Sequence, residues 1–153
     1  MQKNTLDKPD LQLMSFVPQL KLKKESAVDY VWDPLRKKYL VLQPEEFVRQ
    51  LLIIYFKEVH GIPFIRMSSE YPIPLFRTQK RCDLLIFDPN GKVLLLAECK
   101  SFKEKQLNLT IDQIQNYNLY LDAPRLLITN GPDCLYFERK EGVGFERSSK
   151  INF

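Results

Sequence analysis

The stretch "KRCDLLIFDPNGKVLLLAECK", Lys80–Lys100, decides how this chain reads. Two apolar runs flank Asp88-Pro89-Asn90-Gly91, the residues of a tight hairpin turn. Both runs are apolar at successive positions rather than at alternate ones, so the sheet that holds them is expected to be covered on each side. A strand buried on both faces does not tolerate stray charges. Asp83 near the start of the first run, and Glu98 and Lys100 at the end of the second, therefore need a reason.

Strand geometry supplies one. With the turn centred between Asp88 and Gly91, cross-strand partners sum to about 179 in residue number, which sets Asp83 opposite Leu96 and Glu98 one diagonal step away, roughly 7 Å between backbones. Side chains alternate along a strand, so Glu98 and Lys100 share a face while Ala97 and Cys99 point the other way. Two carboxylates that close in an apolar setting repel each other, and either one takes up a proton or a cation sits between them. A divalent metal resolves the conflict. Hard oxygen donors point to Mg²⁺ or Mn²⁺ rather than zinc, and the single histidine, His60 at an expected helix end, offers no histidine site. The expected ligands are Asp83, Glu98 and the backbone carbonyl of Cys99, with substrate phosphate and water completing the shell. Lys100 is expected to orient the attacking water or offset charge on the phosphate.

The Glu-x-Lys pattern alone is weak, since about two acid-x-Lys matches are expected by chance in a chain of this composition. Glu138-x-Lys140 is a second match, with no comparable apolar strand leading into it. What sets Glu98 apart is its context: acid, buried strand, tight turn, buried strand, Glu-x-Lys.

Working outward, "QPEEFVRQLLIIYFKEVHG" predicts a helix starting at Pro44 with Glu45 and Glu46 at its positive end and Gly61 as its stop. Phe47, Val48, Leu51, Leu52, Ile54 and Tyr55 form its apolar stripe. "PFIRMSSEYPIPLF" reads as a strand before the hairpin. "LTIDQIQNYNLYLD" reads as a second helix capped by Thr110, with Ile111, Ile114, Asn118 and Leu121 inward. "PRLLITNG" and "DCLYFER" read as two closing strands. Residues 1–42 are expected to form an extended arm and a hairpin turning at Asp33-Pro34, and 43–153 the core of what is a single compact domain.

At 153 residues and 44% apolar content, the chain suits one domain. Its net charge of +4 is compatible with a polyanion partner without demanding one. Three cysteines with no CxxC pair and no expected secretory leader point to reduced thiols in a cytoplasm, and no apolar run is long enough to span a membrane.

The set "WDPLRKKYLVLQPEEFVRQ", "SSEYPI", "KRCDLLIFD", "LLLAECK", "DQIQNYN" and "LLITNG" resembles, in that order, the PD-(D/E)xK nuclease superfamily. More narrowly it resembles the N-terminal nuclease domain of the type I restriction enzyme R subunit. The resemblance implies an α/β, three-layer, restriction-endonuclease-like αβββαβ core that cuts DNA with Mg²⁺ or Mn²⁺, alone, as a homodimer or within a larger restriction or repair complex. It implies a nuclease core of Asp83, Glu98 and Lys100. Gln113 and Tyr117 match the Gln-xxx-Tyr signature shared with RecB-like nucleases, and four-residue spacing sets them on one helical face. It also implies a first-helix acid near the metal, Glu46 or Glu45, with Glu70 of "SSEYPI" at another matching position. The alternative expectation is a nucleic-acid-binding or scaffold module of the same fold that does not cut.

Overall fold

The structure, a computed structural model, describes residues 8–75 and 78–153. The segment expected to be an extended arm instead opens with a 3-10 helix, Leu13–Gln19, whose Leu13 is buried together with Leu11 against the first α-helix. Three short strands follow, β1 Leu22–Glu25, β2 Val28–Asp33 and β3 Lys38–Val41, paired antiparallel as a small sheet of their own. The hairpin expected at Asp33-Pro34 joins β2 to β3. It is tied by Asp33, fully buried, whose Oδ1 accepts from the amides of Leu35 at 2.8 Å and Arg36 at 3.3 Å.

Helix α1 spans Pro44–His60 and ends on Gly61, whose φ of 64° is the left-handed geometry a glycine adopts without a Cβ clash. Its buried side is Val48, Leu51, Leu52, Ile53, Tyr55 and Phe56, so the stripe is rotated from the expected one, and Phe47 and Ile54 are half-buried. Strands β4 Met67–Leu75, β5 Thr78–Phe87 and β6 Val93–Cys99 follow, then α2 Ile111–Leu121, then β7 Arg125–Thr129, β8 Cys134–Lys140 and β9 Gly144–Arg147. The last residue of the segment expected to form the first of these strands, Phe76, lies outside the described residues.

These six strands form one sheet in sequential order, antiparallel except for the parallel pair β6–β7. A parallel pair needs a crossover, and α2 is that crossover. Leu84, Ile86, Leu95, Ala97 and Leu127 pack on α1, whereas Leu85, Leu96, Leu126 and Ile128 pack with Ile114 and Tyr117 of α2. The sheet is therefore buried on both faces, and the αβββαβ order and three layers expected from the sequence are present. Strand β9 was not foreseen. Thr110 also departs from expectation: a 3-10 turn, Leu107–Thr110, runs directly into α2, and Thr110 makes no side-chain capping bond.

Pro72 and Pro74 fall on β4, which pairs only with β5, so their missing donors face away from a ladder. Among the described residues no helix is long and apolar enough to cross a membrane. Leu96 is fully buried in the α2-side core. Leu96→Ala is expected to lower unfolding free energy by about 2–5 kcal/mol, measured as a shifted urea midpoint with unchanged slope.

Candidate active site

The hairpin register differs from the one counted from the turn. Leu84 pairs with Ala97 and Leu85 with Leu96, after a bulge at Ile86/Phe87, so the next step sets Asp83 directly across from Glu98 and not across from Leu96. Partners sum to 181 rather than 179, and this two-residue shift turns Asp83 and Glu98 from diagonal neighbours into direct ones. On the other side of β5, Ser69 pairs with Leu84 and Tyr71 with Cys82, which leaves Glu70 across from Asp83. Glu70, Asp83 and Glu98 thus occupy one rung across β4, β5 and β6.

That rung is also where the strands change face. Met67, Leu84 and Ile86 pack on the α1 side, but Tyr71, Ile73 and Cys82, at positions of the same parity as these on their strands, pack on the α2 side. The reversal coincides with Glu70, whose φ of 53° is left-handed. Such a conformation is uncommon outside glycine and is held here by its surroundings. It lets one strand pair serve both cores and leaves Asp83 at the turning point.

Asp83 is held from three directions. Its Oδ2 accepts from the Cys99 amide at 2.7 Å, its Oδ1 accepts from Arg49 Nη2 at 3.2 Å, and its own amide donates to Glu98 Oε1 at 3.3 Å. Glu98 is 2% exposed. Burial, together with the charge of Asp83, pushes its pKa well above the usual carboxylate range, with Lys100 pulling weakly the other way. The expected conflict between two close carboxylates is therefore present, and Glu98 carries it.

Lys100 follows directly on β6. Its ammonium donates to Gln113 Oε1 at 3.4 Å, and Gln113 Nε2 donates to Tyr117 Oη at 3.1 Å, so the residues four apart on α2 do share one face and meet the strand end. Tyr117 senses the same acids: burial first, then Glu98 and Asp83, raise its pKa. Lys100 and Gln113 line a cleft of about 360 Å³ with Glu45, Ser101, Glu104 and Thr110. The other acid-x-Lys match is an ion pair on β8, Lys140 Nζ to Glu138 Oε2 at 3.2 Å, with Glu138 half-buried and also accepting from the Tyr136 hydroxyl.

The two acids at the start of α1 part ways. Glu45 is exposed on the cleft, whereas Glu46 is buried between Arg36, which donates to its Oε1, and Arg49, whose Nε lies 3.5 Å from its Oε2. Arg49, 5% exposed, was not singled out from the sequence. Its Nη1 sits 2.7 Å from Glu70 Oε1 while Nη2 reaches Asp83, so one guanidinium spans three carboxylates. Burial by itself would favour loss of its proton, but Glu46, Asp83 and Glu70 outweigh that and hold it charged. A signal existed: Arg49 interrupts the apolar side of α1, three residues after Glu46, where an unpaired cation would be costly. Cys99 packs on the α1 side, and Cys82 on the α2 side with Tyr117.

Residues 44–151 match the family described as type I restriction enzyme R protein N terminus, well over half of the chain. The chain belongs to this family. No curated protein matches it. The matched span of the R-subunit N-terminal domain contains Glu46, Arg49, the whole acidic rung, Lys100, Gln113 and Tyr117, and leaves the three-stranded sheet outside.

The relation to a restriction-enzyme domain implies a divalent cation, and the residues present offer donors for one. Among the described residues no three of His, Cys, Asp and Glu form a ready ligand group. Asp83 and Glu98 instead offer two hard oxygen donors, one of them buried with its charge uncompensated, which suits a cation that keeps much of its shell from water and substrate. Because Glu98 binds its proton more tightly folded than unfolded, it stabilises the metal-free fold at pH values below the ordinary glutamate range. That contribution is lost as pH rises through its raised value. In chelator, wild type is expected to lose stability relative to Glu98→Gln as pH rises from acid through neutrality. Parallel urea midpoints across that range would refute the account.

Proposed function

We propose that this chain is a metal-dependent nuclease module that hydrolyses DNA phosphodiester bonds. The observation that carries the reading is the juxtaposition of Asp83 and Glu98 on one rung, with Lys100 held by Gln113 and Tyr117 beside it. Asp83 and Glu98 would hold Mg²⁺ or Mn²⁺, with the Cys99 carbonyl as the proposed third donor. When bound, the ion supplies a more acidic water and a counter-charge for the phosphate.

The remaining work belongs to side chains on the page. In hydrolysis a water oxygen forms a new bond to phosphorus, one bridging P–O bond breaks, and the departing oxygen takes up a proton. Lys100, lining the cleft, offers N–H donors and positive charge to the phosphate oxygens. Gln113 fixes the ammonium, and Tyr117 fixes Gln113, so the cation keeps one place without a carboxylate partner. The Cys99 amide and Arg49 set the Asp83 carboxylate in one orientation. DNA as substrate, a larger restriction-type assembly as setting and the cytoplasm as location are parts of the same proposal, and the family supports the first two.

A second reading is a module that binds nucleic acid without cutting it. Arg49 favours that reading, because a guanidinium already neutralises Asp83 and Glu70.

The test is cleavage of plasmid and linear DNA with Mg²⁺ or Mn²⁺. Asp83→Asn, Glu98→Gln and Lys100→Ala are each expected to cut the rate about a hundredfold or more while DNA binding in chelator persists. Tyr117→Phe, which removes only the outer hydrogen bond, is expected to have a smaller effect. Cleavage that survives the first three substitutions would reject this site; binding with no cleavage under any metal would select the second reading.

A further inference from the structure

The three-stranded sheet carries a surface that the active site does not use. On β2, Val31 and Asp33 point inward and are fully buried, so Tyr30 and Trp32 point outward. Lys23 of β1 pairs with Tyr30, and Tyr39 of β3 pairs with Trp32, so both join that outward face. The Trp32 and Tyr39 rings meet edge to face with centroids 5.2 Å apart. The Lys23 ammonium lies 4.4 Å from the centre of the Tyr39 ring and 5.6 Å from that of Tyr30, with Glu25 3.3 Å from it on the same face.

Beside this face is a hollow of about 280 Å³, walled by Trp32, Pro34 and Phe64 and bordered by Lys21, Lys57 and one acid, Glu58. The Lys57 ammonium lies 5.5 Å from the Phe64 ring centre. Around this face and hollow Lys21, Lys23 and Lys57 stand against Glu25 and Glu58, beside a strand segment that is basic as a whole. Residues 21–41 hold six lysine or arginine residues against three acids, a net of +3 in a chain whose total is +4. Arg36 pairs with Asp33, Lys23 with Glu25 and Lys24 with Asp29, so the excess rests on Lys21, Lys37 and Lys38.

We propose that this face and the adjoining hollow bind unstacked bases of a single-stranded nucleic acid, with the aromatic rings receiving the bases and the lysines the phosphates. Aromatic side chains interleaved with lysines suit that ligand, since every base offers a π-face and every link a negative charge. They suit a protein partner less well, because lysine is depleted from the centres of protein interfaces. Duplex DNA fits less well too, because its bases already stack on one another. The proposal shares with the nuclease reading only its polynucleotide partner and does not need cleavage.

Trp32 is the chain's only tryptophan, so indole emission reports on the site itself. The full chain, in EDTA, would be titrated with a short oligothymidylate and with a duplex of equal length, following indole emission and the anisotropy of a labelled strand. Saturable quenching is expected, stronger for the single strand. Tyr39→Ala is expected to weaken binding about tenfold. Lys21→Gln and Lys57→Gln are each expected to reduce the slope of log affinity against log salt by about one. Circular dichroism would confirm that each variant is folded. Anisotropy showing binding while indole emission stays constant overturns the proposal and leaves the nuclease site as the only contact. Equal preference for duplex, unchanged affinity in the variants, or no oligonucleotide binding at all overturns it as well, the last pointing to a protein partner. Quenching that persists while Asp83→Asn cuts like wild type sinks the catalytic assignment and leaves this one standing.

Discussion

Three carboxylates share one rung of the central sheet, and a guanidinium from the helix above gathers two of them. Everything else about the site follows from that arrangement. Glu70, Asp83 and Glu98 approach because neighbouring strands place opposite residues within about 5.5 Å. Arg49 takes Glu70 and Asp83 at 2.7 and 3.2 Å, and among the described residues Glu98 is the member with no ion-pair partner. Asp83 is thus neutralised by the arginine of α1 while its neighbour Glu98 is not. The Lys100–Gln113–Tyr117 chain stands on the Glu98 side, where a further cation is wanted.

The ion-pair network around Asp83 extends beyond the sheet. Asp33 binds Arg36, Arg36 binds Glu46, Glu46 lies against Arg49, and Arg49 reaches Asp83, so charges alternate from the β2–β3 hairpin to the centre of the rung. Each of these groups is largely shielded from water, where removal of any one leaves a buried charge uncompensated. The hairpin lies outside the span that matches the family, yet it is fastened to the same electrostatic network. Its inward face serves the site through Arg36, and its outward face, with Tyr30, Trp32 and Tyr39, is free for another task.

Much of this was legible. Alternation and turn chemistry placed Asp83 and Glu98 together on a buried hairpin, and helical spacing placed Gln113 beside Tyr117. What was misread has local causes. The register lies two residues from the turn count: the turn centres one residue later, pairing Phe87 with Val93, and the bulge at Ile86/Phe87, which a turn count cannot see, adds the other. Arg49 was passed over because a lone arginine in a helix is ordinarily solvated, and its three partners lie on other turns and strands. The N-terminal segment reads as an arm because Pro18 and the charge run Lys21–Glu25 break its apolar pieces, although Leu11 and Leu13 bury themselves against α1.

From residue order alone follow the layered αβββαβ core, the two-sided burial of the hairpin and the identity of the acids and the lysine, because these depend on periodicity and on the intolerance of apolar strands for charge. Only the tertiary structure decided which acid is neutralised and which is not. That depends on which strands α1 lays its arginine across and on the left-handed turn at Glu70: the local sequence marks Arg49 as needing a partner, but the strand carboxylates that answer it lie far along the chain.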